Sequence, residues 1–118
     1  MCLSFLLLSV PSQLWKLDGN TLTNKGNLWT SKDKWNLKTG DKFFRIENMS
    51  KGKVLGITHD GSITEEDFVE NEPGQLWKRG KPNADGYFSL ENTDTPKVMT
   101  AISPSRLEVK GKIKLSDK

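Results

Sequence analysis

The chain has 118 residues, which is enough for one domain with a modest hydrophobic core and too few for two. Its hydrophobic content of 34% is low and favours a small β-rich body with much loop. The net charge of +3 is too weak to indicate a nucleic-acid-binding surface, and the presence of one cysteine, Cys2, excludes an intrachain disulfide.

The N-terminal residues 1–12 form an apolar segment. This segment is too short to span a bilayer, which requires about 20 apolar residues. Two interpretations stay open: a weak or truncated secretion signal, or a strand that closes the core. The compartment of the protein does not follow from the sequence, although secretion fits the first interpretation. We expect residues 13–118 to form one domain.

The remaining chain reads as a succession of short strands separated by turns rich in Gly, Asn, Asp and Pro. The strongest hairpin signal is the pair Asp60-Gly61, because both residue types tolerate the positive φ angles of a tight turn. No window of helical length carries an amphipathic stripe, so the sequence predicts a nearly pure β fold. The predicted strands are residues 21–25, 28–31, 34–38, 42–48, 54–58, 62–69, 75–79, 87–92, 97–102, 107–110 and 112–115.

Two internal repeats organise these strands. The motif Gln-x-Trp occurs at Gln13-Leu14-Trp15 and at Gln75-Leu76-Trp77, and a weaker copy ends at Trp35. Residues 43–57 also align without gaps on residues 87–101. Three units each place an aliphatic residue two positions before an asparagine, at Asn24, Asn48 and Asn92.

The three units and the Gln-x-Trp motifs resemble a ricin B-type (R-type) lectin domain, from residue 13 to about residue 115. The resemblance implies a β-trefoil, in which three four-stranded units form a six-stranded barrel capped by three hairpins. It also implies that the tryptophans pack in the core and that the glutamine forms hydrogen bonds to the backbone near the sugar site. The expected core residues are Trp15, Trp35, Trp77, Phe44, Ile46 and Leu90.

The first unit is predicted to be shortened, since only 11 positions separate Asn24 from Trp35, against 29 between Asn48 and Trp77. Most of one hairpin is therefore missing, and Trp29 is expected to fill its place. The third unit has no Gln-x-Trp of its own, so the segment of residues 4–15 is expected to close it. The alternative is that the chain is a piece of a longer protein.

The resemblance places a sugar-binding aspartate at a slot that here holds Gly56 in the second unit and Thr100 in the third. The remaining candidates for a carbohydrate site lie in the second unit: Asp60, Phe68, Asn71 and Gln75. A sugar needs carboxylate or amide groups for its hydroxyls and an apolar ring on which to lie. The alternative interpretation gives Asp60 a turn role, Asn71 a loop-capping role and Gln75 a bracing role beside the tryptophan.

Other side-chain groups are predicted to have no chemistry of their own. The acidic run from Glu65 to Glu72 lacks the spacing of a calcium loop and reads as a solvated edge. The lysines at positions 110, 112 and 114 read as a solvated edge strand. His59, the one histidine, lies on a predicted hairpin tip without a serine or cysteine that could act as its nucleophile.

The resemblance therefore implies a carbohydrate-binding module, with galactose-type glycans as the first ligand class, and without catalytic activity, metal or cofactor. The alternative function is a protein-interaction β-trefoil that has lost sugar binding, because fold does not determine function. The two hypotheses differ on one point: an exposed aromatic near Asp60 and Gln75 favours sugar binding. Burial of both Phe68 and Trp29, without a cavity beside Gln75, would favour the protein-interaction function.

Overall fold

The computed structural model describes residues 10–39 and 43–111, and these residues form an all-β fold without an α-helix. Two short 3₁₀ turns, Pro11–Gln13 and Pro73–Gln75, precede the two Gln-x-Trp tryptophans. The strands are β1 (Trp15–Asp18), β2 (Thr21–Asn24), β3 (Trp35–Thr39), β4 (Phe44–Asn48), β5 (Lys53–Ile57), β6 (Ser62–Glu66), β7 (Trp77–Arg79), β8 (Leu90–Asn92), β9 (Val98–Ser103) and β10 (Arg106–Lys110).

Six of these strands close into a barrel. The antiparallel pairs β1–β2, β3–β4 and β7–β8 supply three sides of the ring. The Trp35 N–H, which donates to the Asn20 carbonyl, joins β2 to β3, and the pair of Phe44 with Trp77 joins β4 to β7. A bridge between Trp15 and Phe88 closes the ring. The barrel expected of a β-trefoil is confirmed.

The threefold repeat is visible in the strand register. Each of the three repeated tryptophans lies opposite one of the three repeated asparagines: Trp15 opposite Asn24, Trp35 opposite Asn48, and Trp77 opposite Asn92. All three asparagines are buried, and their amide groups donate to the segment before the paired tryptophan. The repeated asparagines therefore lock neighbouring units together.

Two hairpins cap the barrel, β5–β6 from the second unit and β9–β10 from the third, and they pair with each other through β6 and β10. The first unit has no such hairpin, because no strand lies in residues 25–34 between β2 and β3. Trp29 fills that space: its ring centroid lies 5.5 Å from that of Trp15 and 5.7 Å from that of Trp35, edge-on to both. The predicted shortening of the first unit is confirmed.

The N-terminal Gln-x-Trp closes the third unit. The Trp15 indole donates to the Met99 carbonyl at 3.0 Å, as the Trp77 indole donates to the Leu55 carbonyl at 3.1 Å in the second unit. Leu55 and Met99 occupy the same position in the internal alignment. The two motifs therefore make the same contact with a hairpin: Trp15 precedes the β9–β10 hairpin that it contacts, and Trp77 follows the β5–β6 hairpin that it contacts.

The core surrounds the tryptophans. Buried side chains include every residue expected in it: Trp15, Trp35, Trp77, Phe44, Ile46 and Leu90. Trp15 and Trp77 have no exposed surface, and Trp29 is 7% exposed. The cluster extends into both hairpins through Leu55, Met99 and Leu107. Burial of this apolar surface is the main stabilising contribution in a chain without an intrachain disulfide.

Several expected elements differ in the structure. The predicted strand at residues 28–31 is absent, because Trp29 turns inward between two indoles and its neighbours find no partner strand. The strand expected at residues 62–69 ends at Glu66, and residues 87–89 precede β8. The predicted strand at residues 112–115 and the apolar residues 1–9 lie outside the described residues.

Candidate functional site

Gln75 is the organising residue of the second unit's outer surface. Its side chain is 2% exposed and forms three hydrogen bonds to the segment of residues 66–69. The amide nitrogen donates to Glu66 Oε1 at 3.0 Å and to the Asp67 carbonyl at 2.9 Å, and the amide oxygen accepts from the Val69 N–H at 2.8 Å. A buried amide that is fully satisfied in this way holds the segment in one conformation.

Glu66 takes the space that the slot residue leaves. Gly56 is buried opposite Thr64 in the β5–β6 ladder, and a Cβ at residue 56 would overlap the Glu66 carboxylate. The Thr64 hydroxyl donates to Glu66 Oε2 at 3.1 Å, so both carboxylate oxygens have one donor. Because a carboxylate oxygen has two lone pairs, each retains the capacity to accept from a ligand hydroxyl. A carboxylate thus lies beside Gly56 although no aspartate does.

Phe68 presents an aromatic ring two residues after Glu66 in the chain. The side chain is 46% exposed, and the Arg45 guanidinium carbon lies 4.0 Å from the ring centroid. Arg45 is in turn paired with Glu47 at 3.2 Å. The cation stacked on the ring and the Gln75 bonds on either side of residue 68 fix the position of an otherwise exposed ring.

Asp60 lies apart from Phe68. It lies in the connection between β5 and β6, at one end of β6, whereas Phe68 follows Glu66 at the other end of that strand. Asp60 and Phe68 line separate cavities, of about 220 and 190 Å³. The Thr58 hydroxyl donates to Asp60 Oδ1 at 2.5 Å and the Ser62 N–H donates at 3.0 Å, and these bonds lower the pKa of Asp60 to about 2. The Asp60 side chain therefore stabilises the turn between β5 and β6.

Asn71 lies on the loop between Phe68 and Gln75. Its backbone is left-handed, with φ of 62°, and its side chain is exposed. Asparagine is among the residues that adopt this conformation most readily. The loop continues through the Glu72 N–H, which donates to the Val69 carbonyl at 3.3 Å. The structure thus places Phe68, Asn71 and Gln75 on one loop.

The acidic run is paired with side chains of residues 48–53 and is more than a solvated edge. Glu65 accepts from the Asn48 amide at 2.8 Å and from Lys51 at 3.3 Å. Asp67 forms an ion pair with Lys53 at 2.6 Å, which lowers the pKa of Asp67. Glu66, between them, has no ion pair to a cation within the described residues. Its charge is therefore the one in this trio that a ligand could use without breaking an ion pair.

The described residues of the other units are arranged differently: Glu108, opposite Thr100 in the β9–β10 ladder, forms ion pairs with Arg106 and Lys110. In the third unit the Gln13 amide donates to the Thr100 hydroxyl at 3.2 Å and to the Gly111 carbonyl at 2.9 Å. Thr100 is 4% exposed. In the first unit Asp33 stands where the glutamine would be and accepts from the Asn48 amide at 2.8 Å. The second unit is therefore the best candidate for the family's type of site.

No cluster of three or more His, Cys, Asp or Glu side chains in the described part of the chain is arranged to hold a metal ion. Among those same residues, no helix has the length and hydropathy of a membrane span. His59 lines the cavity that also contains Asp60 and Lys97.

The comparison with protein-family models agrees with the fold. Residues 31–108 match the model of the ricin-type beta-trefoil lectin domain-like family. The chain belongs to this family of lectin-like binding modules, which are generally non-catalytic. Neither the comparison with curated proteins nor the comparison with solved structures found a significant match.

Sequence reasoning missed Glu66 as a candidate site residue. The signal was nonetheless present, because a glycine at the slot opens a space that a long side chain two residues along the facing strand can enter. Thr64 pairs directly with Gly56, so Glu66 shares the face of that pair. The register was needed to see this, and register depends on the hairpin turn, which sequence predicts only approximately.

Proposed function

We propose that the protein is a carbohydrate-binding module whose site lies on the second unit, with Glu66 as hydroxyl acceptor, Phe68 as stacking surface and Asn71 as an accessory polar contact. The observation that carries the proposal is the set of three hydrogen bonds from buried Gln75 to residues 66–69. Those bonds preorganise a carboxylate and an aromatic ring that flank Asp67 in the chain. Gln75 acts as a positioning residue.

The chemistry of a pyranose sugar fits this pair of groups. One face of the ring is lined by C–H groups and packs on an aromatic side chain, while the hydroxyls need strong acceptors. Glu66 supplies the acceptor and Phe68 the apolar surface. Because both are held in place before binding, little conformational entropy is lost when the ligand binds. Galactose-type glycans are the first class to test, following the family.

The test is a titration of the folded chain with glycans that bind it on an array, comparing Glu66→Gln, Phe68→Ala and Glu70→Gln. Glutamine at residue 66 keeps an oxygen for the Gln75 amide but loses the charge. A hydrogen bond to a charged group contributes about 1.5–3 kcal/mol, so we expect Glu66→Gln to weaken binding by about 10- to 100-fold. Phe68→Ala should weaken it similarly.

Glu70→Gln is the matched control, since Glu70 is exposed on the same loop and has no hydrogen bond or ion pair within the described residues. Its affinity should equal that of the unmodified chain. Circular dichroism of each variant is the control for folding. Unchanged affinity in both Glu66→Gln and Phe68→Ala would rule out the second-unit site.

A protein-interaction function is the second candidate, and one observation favours it. Three apolar side chains of the second unit are about half exposed: Met49 at 53%, Phe68 at 46% and Val69 at 53%. Met49 and Phe68 line the same cavity. Phe68 is exposed on the loop of Gln75 but lies apart from Asp60, so the condition set for sugar binding is met for Gln75 alone, and the burial of Trp29 removes that residue as a contact. A folded chain that binds no glycan would favour the protein-interaction function.

A further inference from the structure

A second groove lies on the third unit, and Glu66 and Phe68 are not among the residues that line it. It has a volume of about 320 Å³ and is lined by Phe43, Lys78, Glu91, Asn92, Thr93, Asp94, Thr95 and Pro96. The groove follows the turn between β8 and β9 on one side and the start of β4 and strand β7 on the other. Ligand sites typically begin at about 300 Å³, so this groove suits one or two sugar rings.

The fold generates this groove as part of its repeat. Residues 91–96 align on residues 47–52, and the cavity beside Phe68 is lined by the equivalent positions Glu47, Asn48, Met49 and Gly52. Each cavity is also lined by one exposed phenylalanine: Phe43 lines the groove on the third unit, and Phe68 lines the cavity on the second unit. The two phenylalanines come from different positions of the repeat.

The two cavities differ in how their charges are used. Beside Phe68, Arg45 is paired with Glu47 and Lys53 with Asp67, so these charged side chains already have partners. In the groove of the third unit the charged groups are Lys78, Glu91 and Asp94. Within the described residues none of these three charged groups forms an ion pair or a side-chain hydrogen bond, although Lys78 and Glu91 lie opposite each other in the β7–β8 ladder.

The turn that holds Asp94 is rigid. The Asp94 N–H donates to the Asn92 side-chain oxygen at 2.9 Å, and the Asn92 amide donates to the Gly74 carbonyl at 2.9 Å. The Thr93 hydroxyl donates to the Pro73 carbonyl at 2.9 Å. The exposed carboxylate of Asp94 is therefore carried by a backbone anchored to the buried Asn92, which is 1% exposed.

We propose that this groove is a second glycan-binding site, in which Phe43 stacks against a neutral pyranose and the carboxylates of Glu91 and Asp94 accept its hydroxyls. Lys78 donates to a ring or hydroxyl oxygen. Two carboxylates against one ammonium give the groove a net negative charge, and like charges repel, so sialylated and sulfated sugars are disfavoured. The proposal rests on the carbohydrate-binding function but not on the second-unit site.

The experiment is an NMR titration of the isotope-labelled full chain with methyl β-galactoside, methyl β-glucoside and sialic acid, following assigned backbone amides. Binding in the groove shifts the amides of Thr93, Asp94 and Thr95, whereas binding at the second-unit site shifts those of Asp67, Phe68 and Val69. We expect the groove amides to shift with one of the neutral sugars and not with sialic acid. The Glu66→Gln variant should leave those shifts unchanged.

Two variants of the groove and one control complete the test. Phe43→Ala and Asp94→Asn should each weaken the groove titration at least fivefold, because each removes one of the two contacts that a pyranose needs. Asp85→Asn is the matched control, an exposed carboxylate in the loop before β8. Absence of shifts at residues 93–95 with every sugar would overturn the proposal, and so would affinities of both groove variants that equal that of the unmodified chain. Shifts confined to residues 67–69 would overturn it while supporting the second-unit site.

Discussion

Trp15 and Trp77 should contribute equally to stability, although one lies near the start of the chain and the other in its middle. Both indoles have no exposed surface, and each donates to a carbonyl of an equivalent strand residue, Met99 or Leu55. Burial of about 150–250 Å² of aromatic surface, at about 25 cal/mol per Å², corresponds to about 4–6 kcal/mol. Substitutions of buried Trp by Ala cost about 3–5 kcal/mol.

We therefore expect Trp15→Ala and Trp77→Ala to lower the free energy of unfolding by about 3–5 kcal/mol each. Urea denaturation followed by far-UV circular dichroism measures this without relying on tryptophan fluorescence. If either alanine variant does not fold, the Phe variants replace them, and these should cost about 1–3 kcal/mol from the unsatisfied carbonyl, plus a smaller packing loss. Lys78→Ala, an exposed neighbour of Trp77, should have little effect.

Unequal effects would contradict the reasoning. If Trp77→Ala destabilised the protein as expected and Trp15→Ala cost less than about 1 kcal/mol, the N-terminal motif would not be a structural part of the barrel. Small effects at both positions would show that the tryptophans are not in the core. Either result would also remove the argument that the chain closes its third unit with Gln13 and Trp15.

Three further predictions follow from the contacts. Gly56→Ala should displace only the flexible end of Glu66, so it should change stability by less than about 1 kcal/mol while weakening glycan affinity in the same titration. Trp29→Ala should destabilise the protein by about 3–5 kcal/mol in urea denaturation, because the ring fills the space of a missing hairpin. An unchanged free energy of unfolding in this variant would refute that role. Asp60 should titrate by NMR with a pKa of about 2, so its contribution to stability is present above the ordinary pKa of 3.8 and is lost as the pH falls through about 2. Thr58→Val should raise the pKa of Asp60. An unchanged pKa in that variant would show that the Thr58 hydroxyl is not the main cause of the low value.

Much of the fold could be predicted from the sequence because the repeats are local and frequent. The Gln-x-Trp motifs, the asparagines at equivalent positions and the gap-free alignment each reflect a contact that recurs in the structure, such as Trp77 opposite Asn92. The shortened first unit followed from simple spacing. The wrong strand at residues 28–31 came from its apolar composition, since a short run cannot reveal that Trp29 packs inward as an isolated side chain.

The site was harder to predict because it depends on contacts between strands. The sequence predicts Asp60 as an acceptor, but in the structure its carboxylate accepts from Thr58 and Ser62 within the turn that includes Gly61. Glu66 was hidden within an acidic run, where only the β5–β6 register shows which carboxylate enters the space beside Gly56. The groove joins Phe43 to residues that are 35 or more positions further along the chain, a distance that local patterns do not bridge.

The most direct test of the account is a glycan-array screen of the folded 118-residue chain beside a double variant, Glu66→Gln with Phe43→Ala. The unmodified chain should bind neutral glycans reproducibly, and the double variant should stay folded but lose that binding, because one contact is removed from each proposed site. A folded chain that binds no glycan, or a double variant that binds as well as the unmodified chain, would contradict the assignment of carbohydrate binding to these surfaces.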